Sequence, residues 1–97
     1  MLTNNEKKHL KALASNLDTK YQVGKNEITD TLVAMLDKAL TAHELIKVDV
    51  MKAVASPVME IALDLSIRLK AELVQVVGRA IVLYRYSKEH HKIKLQK

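Results

Sequence analysis

The stretch that decides the fold is Leu73-Val74-Gln75-Val76-Val77-Gly78-Arg79-Ala80-Ile81-Val82-Leu83-Tyr84. Two runs rich in β-branched residues flank a two-residue turn, a pattern that is typical of a β-hairpin. Gly78 stands first in the turn, as a type II′ turn requires, because that position takes a positive φ angle. We therefore expect antiparallel strands over 73–77 and 80–84, with Arg79 presented to solvent at the tip of the turn.

Upstream of the hairpin, extended and helical patterns alternate along the chain. Apolar residues recur at every second position of the segment Leu45–Val50, so it predicts a strand with one buried face. A helical stripe precedes this strand, with Thr29 as its N-cap, and runs to about Ala42. A third helix follows the strand, with Ser56 as the N-cap and Pro57 at the first helical position, which needs no N–H.

The third helix is predicted to be buried more deeply than the other two. Its apolar face is formed by residues at helical spacing, namely Val58, Ile61, Ala62, Leu65 and Leu69. We expect Met59, Leu63 and Ile67 to widen this face. The polar remainder is then a narrow strip in which Asp64 and Arg68 are spaced for an ion pair.

The N-terminal region predicts one more helix and one more strand. Thr3 and Glu6 have the spacing of a capping box, in which each side chain accepts a hydrogen bond from the backbone N–H of the other residue. A helix is therefore expected to about Ser15. An extended segment is expected from Leu17 to Val23.

These elements define the expected fold class, which is α/β with the order α-β-α-β-α-β-β. The 97 residues suffice for one domain with one modest core, so we expect a single domain over residues 1–97. Strands separated by helices are expected to be parallel, and the last strand antiparallel to its hairpin partner. The result is a mixed four-stranded sheet with three helices, arranged as a two- to three-layer sandwich.

The turn Gly24-Lys25-Asn26-Glu27 lies between the first strand and the second helix, and we interpret it as a site for nucleic-acid phosphate. Backbone N–H groups at a helix N-terminus lack helical partners, and the peptide dipoles place partial positive charge there. Lys25 adds a full positive charge, and the N-cap Thr29 is included in the site. The alternative is an ordinary strand-to-helix turn, and the motif by itself favours that alternative.

The charge of the chain is consistent with a polyanionic partner. Lysine and arginine number 16 and aspartate and glutamate 11, which gives a net charge of +5 and a pI of about 9.5. The segment 85–97 forms a basic C-terminal tail that contains Arg85, Lys88, Lys92, Lys94 and Lys97. A solvated terminus and an electrostatic arm on a polyanion explain such a tail equally well.

Composition excludes several classes of protein. The chain has no cysteine, so it has no disulfide, zinc ribbon or thiolate catalyst, and it fits a reducing cytoplasm. The polar N-terminal residues do not resemble a signal peptide, and no apolar run is long enough to span a bilayer. His90 and His91 do not form a closed metal site, and the scattered carboxylates match no enzyme motif. We expect no enzymatic activity, cofactor, metal, small-molecule substrate or membrane partner.

Three segments together resemble the CRM domain (chloroplast RNA splicing and ribosome maturation) and its stand-alone bacterial form, the YhbY-like family. They are Val23-Gly24-Lys25-Asn26 before a helix, His43-Glu44-Leu45-Ile46-Lys47-Val48, and Val74 to Arg85. The resemblance extends from the first helix to Tyr86. It implies an RNA-binding α/β domain similar to the C-terminal domain of a bacterial translation initiation factor.

The resemblance also implies a partner and a site. The partner is structured ribosomal RNA in precursors of the large ribosomal subunit, and the function is assistance in ribosome assembly. Contact with RNA is implied for a Gly-x-x-Gly loop, as in a KH domain. Gly24, Lys25 and Asn26 of this chain match that loop. From their position or charge we add Thr29, Lys47, Arg79, Arg85 and Lys88 to the expected RNA-binding residues; for the last four the alternative is an ordinary solvated side chain.

Glu27 departs from the family pattern, because it stands where the family has the second glycine of the loop. Glycine there permits a positive φ angle, whereas Glu27 restricts φ and adds negative charge. Asn26 tolerates a left-handed conformation and is expected to relieve the backbone constraint. Two other functions stay open, namely an adaptor that binds a ribosomal protein or assembly factor, and a general DNA-binding protein.

Overall fold

The computed structural model describes residues 3–17 and 19–88. Its elements follow the predicted order of three helices and four strands. They are α1 (Asn4–Ala14), β1 (Tyr21–Val23), α2 (Asp30–His43), β2 (Leu45–Val50), α3 (Val58–Leu69), β3 (Glu72–Val77) and β4 (Ala80–Tyr84). The predicted fold class is therefore confirmed.

The capping box at the start of α1 is present. Thr3 N donates to Glu6 Oε1 at 2.9 Å, and Glu6 N donates to Thr3 Oγ1 at 3.1 Å. The helix ends at Ala14, one residue before the predicted end. The extended segment predicted from Leu17 is shorter than expected, because the strand contains only Tyr21–Val23.

The four strands form one mixed sheet in the order β1-β2-β4-β3. β1 pairs with β2 in parallel, with Val23 opposite Val50. β4 lies between β2 and β3 and is antiparallel to both. The hairpin thus inserts its second strand into the centre of the sheet, and Gly78 takes the predicted positive φ, at 59°.

The sheet separates two clusters of buried residues, so the sandwich has three layers. α2 and α3 pack on one face, where Leu36 and Leu65 contact the core together with Ile46, Val48 and Ile81. α1 packs on the other face. Its Leu10 and Ala14 join residues from three strands, namely Leu45, Val74, Val82 and Tyr84.

The start of α3 differs from the prediction. The helix begins at Val58, and the residue at the N-cap position is Pro57, which makes no side-chain cap. The hydroxyl of Ser56, the predicted N-cap, instead donates to Glu27 Oε1 at 2.6 Å. This bond is charge-assisted, because its acceptor is a carboxylate, and Ser56 precedes the N-cap position rather than occupying it.

The prediction that Met59, Leu63 and Ile67 widen the buried face of α3 is wrong. Met59, Leu63 and Ile67 are 51%, 49% and 75% exposed rather than part of the core. The helix packs on the sheet along one apolar stripe. Met59, Leu63 and Ile67 lie beside that stripe and stay exposed. α2 and α3 each bury four residues.

Candidate nucleic-acid interface

The predicted phosphate site lies at the sheet edge where β1 and β2 both end. Because these strands are parallel, the turn that follows β1 and the loop that follows β2 emerge side by side. The two segments are joined directly, since Met51 N donates to the carbonyl of Val23 at 3.0 Å. The candidate site is thus built from two loops, each of which leads into the N-terminus of a helix.

The first loop forms a closed turn. Glu27 N donates to the Gly24 carbonyl at 2.8 Å, which leaves Lys25 and Asn26 exposed at the tip. The residue with positive φ in this turn is Glu27, at 57°. The expectation that Asn26 would take the left-handed conformation is therefore wrong, because the strain falls on the residue that replaces the family glycine.

Glu27 carries a conformational cost that glycine does not. A side chain in the left-handed region costs roughly 1–2 kcal/mol, because Cβ approaches the following carbonyl oxygen. Gly24 does not have a positive φ angle. A Cβ added to it would meet Met51 Sδ at 3.8 Å, which is an ordinary van der Waals contact. The turn therefore places its glycine at an unstrained position and its glutamate at the strained one.

The start of α2 is capped by Thr29, as predicted. Its Oγ1 accepts a hydrogen bond from Leu32 N at 3.1 Å. Between this helix start and the turn is an open pocket of about 230 Å³, which is lined by Gln22, Gly24, Lys25, Asn26, Glu27, Thr29 and Leu32. The lining combines one full positive charge and a helix N-terminus with one carboxylate. Such a pocket can accept an anionic group provided that the carboxylate is directed elsewhere.

Arg79 lies at the same sheet edge, but its guanidinium is not free at the tip of the hairpin as predicted. Nε donates to the carbonyl of Val50 at 2.7 Å, and Nη2 donates to the carbonyl of Met51. Val50 N in turn donates to the carbonyl of Arg79 at 2.8 Å. Arg79 therefore holds the end of β2 and the loop that follows it. Its predicted RNA contact stays a prediction.

Two further predicted residues lie at the opposite end of the sheet. Arg85 and Lys88 follow β4, whose last residue, Tyr84, pairs with the first residue of β2. β2 has six residues, which places the two ends of the sheet about 17 Å apart. Lys88 is exposed, whereas Arg85 is occupied by hydrogen bonds to α2 and to the end of α3.

Lys47 lies on the α1 side of the sheet. It is half-buried in the middle of β2 and stands opposite Val82, which belongs to the cluster under α1. Directly paired residues on neighbouring strands point to the same face, so Lys47 shares that face. The structure therefore brings Gly24, Lys25, Asn26 and Thr29 together but places Lys47 apart from them.

Sequence analysis missed Lys52, which is exposed in the loop after β2. Its neighbour Met51 contacts both the β1 strand end and Arg79. A signal was available, because the carboxyl ends of adjacent parallel strands meet at one edge of a sheet. Residues that directly follow β2 are therefore neighbours of residues that directly follow β1.

Within residues 3–17 and 19–88, no three histidine, aspartate or glutamate side chains are grouped so that they could hold a metal ion. In the same part of the chain, no helix has the length and apolar character needed to cross a bilayer. His90, His91 and the basic tail from residue 89 onward lie outside the described residues.

A family model and several known proteins match the sequence of this chain. The family model described as the CRS1 / YhbY (CRM) domain matches residues 2–85. "Probable RNA-binding protein YqeI" of Bacillus subtilis (strain 168) is 38% identical over 95 residues, which cover 98% of this chain and 99% of that protein. An "RNA-binding protein" of Haemophilus influenzae is 38% identical over 88 residues, which cover 91% of this chain and 89% of the relative.

A solved structure shares the fold. It is the solution structure of "the hypothetical protein SAV1595 from Staphylococcus aureus, a putative RNA binding protein". The TM-score is 0.83 at 42% identity, and the match covers 99% of this chain and 100% of that one. These agreements in sequence and fold, over nearly the full chain, show that the protein belongs to the CRS1 / YhbY (CRM) domain family.

Proposed function

We propose that this protein binds RNA and grips a backbone phosphate at the turn between β1 and α2. The observation that carries the proposal is the exposure of Lys25 and Asn26 at the tip of that turn, beside an open pocket at a helix N-terminus. The family and the names of the relatives support RNA as the polyanion. Contacts of this kind position the protein on the backbone without reading sequence.

The charge of the chain supports the same proposal. A net charge of +5 attracts polyanions over a distance and makes the affinity depend on salt. Among the predicted contacts, Lys25 and Lys88 have exposed side chains, whereas the guanidinium groups of Arg79 and Arg85 are engaged within the fold. We infer that the lysines contact phosphate and that the two arginines chiefly hold the surfaces on which RNA rests.

We further propose that the RNA is structured ribosomal RNA in precursors of the large ribosomal subunit, and that the protein assists assembly of that subunit in the cytoplasm. The motivation is the resemblance of the segments around Gly24, His43 and Val74 to the YhbY-like family. The single domain and its basic tail from Arg85 to Lys97 suit a factor that docks on a folded RNA by charge. Crosslinking in cells, followed by sequencing of the attached RNA, tests this part of the proposal.

A salt titration of RNA binding tests the mechanism. Each phosphate that a lysine neutralises contributes about −0.7 to −0.9 to the slope of log K against log salt. We expect Lys25→Ala to weaken binding about three- to tenfold. The slope of log K against log salt should become shallower by the contribution of about one phosphate contact. Lys38→Ala, which removes an exposed lysine on α2, is the matched control and should change affinity little. Absence of RNA binding, or an unchanged slope in Lys25→Ala, would contradict the proposal.

One observation favours a second candidate function, a protein-interaction adaptor on the ribosome or its assembly factors. Met59, Leu63 and Ile67 form an exposed apolar row along α3, at spacings of four residues. Sedimentation with ribosomal particles after nuclease treatment separates the two functions. Association that survives digestion of the RNA favours the adaptor, and association that is lost favours RNA binding.

A further inference from the structure

We propose that the hydrogen bond between Glu27 and Ser56 holds the RNA-binding turn in its active shape, so that both residues are positioning residues for phosphate. The inference rests on the proposed function and extends it to a partner in another loop. Ser56 Oγ donates to Glu27 Oε1 at 2.6 Å across 29 positions of sequence. This bond connects the turn after β1 with the segment that leads into α3.

The turn needs such a connection because of the conformation of Glu27. Its φ of 57° lies in the region that glycine adopts readily and other residues avoid. The turn is closed by the hydrogen bond from Glu27 N to the Gly24 carbonyl at 2.8 Å. If Glu27 relaxed to negative φ, the closure would be lost, and Lys25 and Asn26 would no longer be held at the tip.

Ser56 is a well-fixed donor. Two residues before it, Val54 is buried, at 6% exposed, and Val54 N donates to the Met51 carbonyl at 3.1 Å. One residue after it, Pro57 has φ fixed at −58°, and its carbonyl accepts from Ile61 N at 3.2 Å. The hydroxyl therefore stands on backbone that is fixed on both sides, and the bond ties the turn to it.

The same bond bears on the carboxylate that stands beside the proposed phosphate. Glu27 lines the pocket at the turn, whereas Ser56 does not. The bond therefore joins Oε1 of Glu27 to a donor outside the pocket, in the segment that leads into α3. Lys25 stays exposed as the positively charged group at the tip. In this chain, glutamate and serine together hold the positive φ that a glycine adopts alone.

A double-mutant cycle tests the inference. The affinity of each variant for the same RNA oligonucleotide is measured over a range of salt concentrations. We expect Ser56→Ala to weaken binding about three- to tenfold, the net worth of one ordinary hydrogen bond. In the Glu27→Gly background, where the turn needs no anchor, Ser56→Ala should change affinity little. Glu27→Gly should bind more tightly than Glu27→Ala, which has the same charge but keeps a Cβ. Ser56→Thr retains the hydroxyl and should restore binding.

The salt slope separates positioning from direct contact. Ser56→Ala should leave the slope unchanged, because the charge of Lys25 is retained and reaches the phosphate once the turn is reordered on binding, at a cost in affinity. Lys25→Ala, by contrast, makes the slope shallower. Far-UV circular dichroism and urea unfolding verify that each variant is folded. An equal effect of Ser56→Ala in both backgrounds, or none in either, would overturn the inference while leaving the proposed function intact. If Lys25→Ala also has no effect, the proposed function itself fails.

Discussion

The guanidinium of Arg85 contacts the carboxylate of Asp37 at 2.7 Å and thereby fixes the chain that leaves β4 against α2. The same guanidinium donates to the Asp37 carbonyl at 2.9 Å, to Thr41 Oγ1 at 3.0 Å and to the Leu69 carbonyl at 2.9 Å. One side chain therefore joins α2, the end of α3 and the end of the sheet. The last of these contacts satisfies a carbonyl that the end of α3 leaves without a helical partner.

Replacing Arg85 should destabilise the domain. We expect Arg85→Ala to lower the free energy of unfolding by about 2 kcal/mol, because two partly buried acceptors, the Leu69 carbonyl and Thr41 Oγ1, lose a charged donor together. Urea denaturation at neutral pH measures the change. The matched control is Arg68→Ala, which removes an exposed pair with Asp64 whose side chains are 48% and 49% exposed, and which should cost less than about 0.5 kcal/mol. Equal costs for the two variants would contradict this interpretation.

The relation between Arg85 and Asp37 illustrates what the sequence could and could not predict. The helices and strands could be predicted from short-range patterns. The capping residues Thr3 and Thr29 and the turn residue Gly78 affect only the backbone a few positions away in the sequence. The insertion of β4 between β2 and β3 depends on strand pairing over long distances, for which short-range patterns hold no information. The sequence therefore predicts Arg85 as an RNA contact in the basic tail and not as a link within the fold, since its partners lie up to 48 residues away.

Glu44 shows the same limit for a buried charge. The sequence pattern predicts that the second helix runs to about Ala42, and Glu44 is the C-cap of that helix, with a φ of 65°. Its carboxylate is fully buried, and Oε2 accepts from Ser87 N at 2.8 Å. A charged residue at a helix end is normally exposed, so nothing local indicated that a segment 43 residues later would supply a partner. The hydrogen bond between Glu27 and Ser56 could not be predicted for the same reason, because it joins residues 29 positions apart.

Glycine at position 70 should stabilise the protein. Lys70 is the C-cap of α3 with φ 53° and ψ 41°, a left-handed conformation that favours glycine. We expect Lys70→Gly to raise the free energy of unfolding by about 0.5–1 kcal/mol, as relief of strain outweighs the lost interaction of the lysine with the helix dipole. Thermal and urea unfolding measure the gain. Lys70→Ala removes the same charge but keeps Cβ, so a gain in that variant would refute the conformational explanation.

Tyr84 should make stability depend on pH in the alkaline range. Burial raises the pKa of its hydroxyl above the ordinary value of 10.0, and the carboxylate of Glu44 raises it further. Folding thus favours the protonated form. The resulting contribution to stability is fully present below pH 10.0, and it is lost as the pH rises through the pKa of the folded state.

Comparison with Tyr84→Phe isolates this contribution from every other source of pH dependence. The difference in unfolding free energy between the two proteins should be constant below pH 10.0 and should shrink above it. The phenolate absorbance that the folded protein has and Tyr84→Phe lacks should develop above pH 10.0. If that absorbance develops at or below pH 10.0, the expectation is contradicted.

Lys52 should contribute to RNA binding although no sequence motif contains it. The lysine is exposed in the loop after β2, whose backbone is tied to the end of β1 by the hydrogen bond from Met51 N to the Val23 carbonyl. An RNA strand held at Lys25 therefore passes a second positive charge at the same sheet edge. We expect Lys52→Gln to weaken binding and to make the slope of log K against log salt shallower by about 0.7–0.9.

Two lysines elsewhere in the fold provide the controls for Lys52. Lys38→Gln, on α2, removes the same charge from another surface, so it measures the loss that the lower net charge alone produces. Lys88→Gln, at the opposite end of the sheet, tests whether the RNA extends that far. If all three variants lower affinity equally, binding follows net charge rather than the edge formed by β1 and β2. If Lys52→Gln loses more RNA affinity than Lys38→Gln and as much as Lys25→Gln, the two loops at this edge act as one phosphate site. Only adjacent cations reach the same RNA strand.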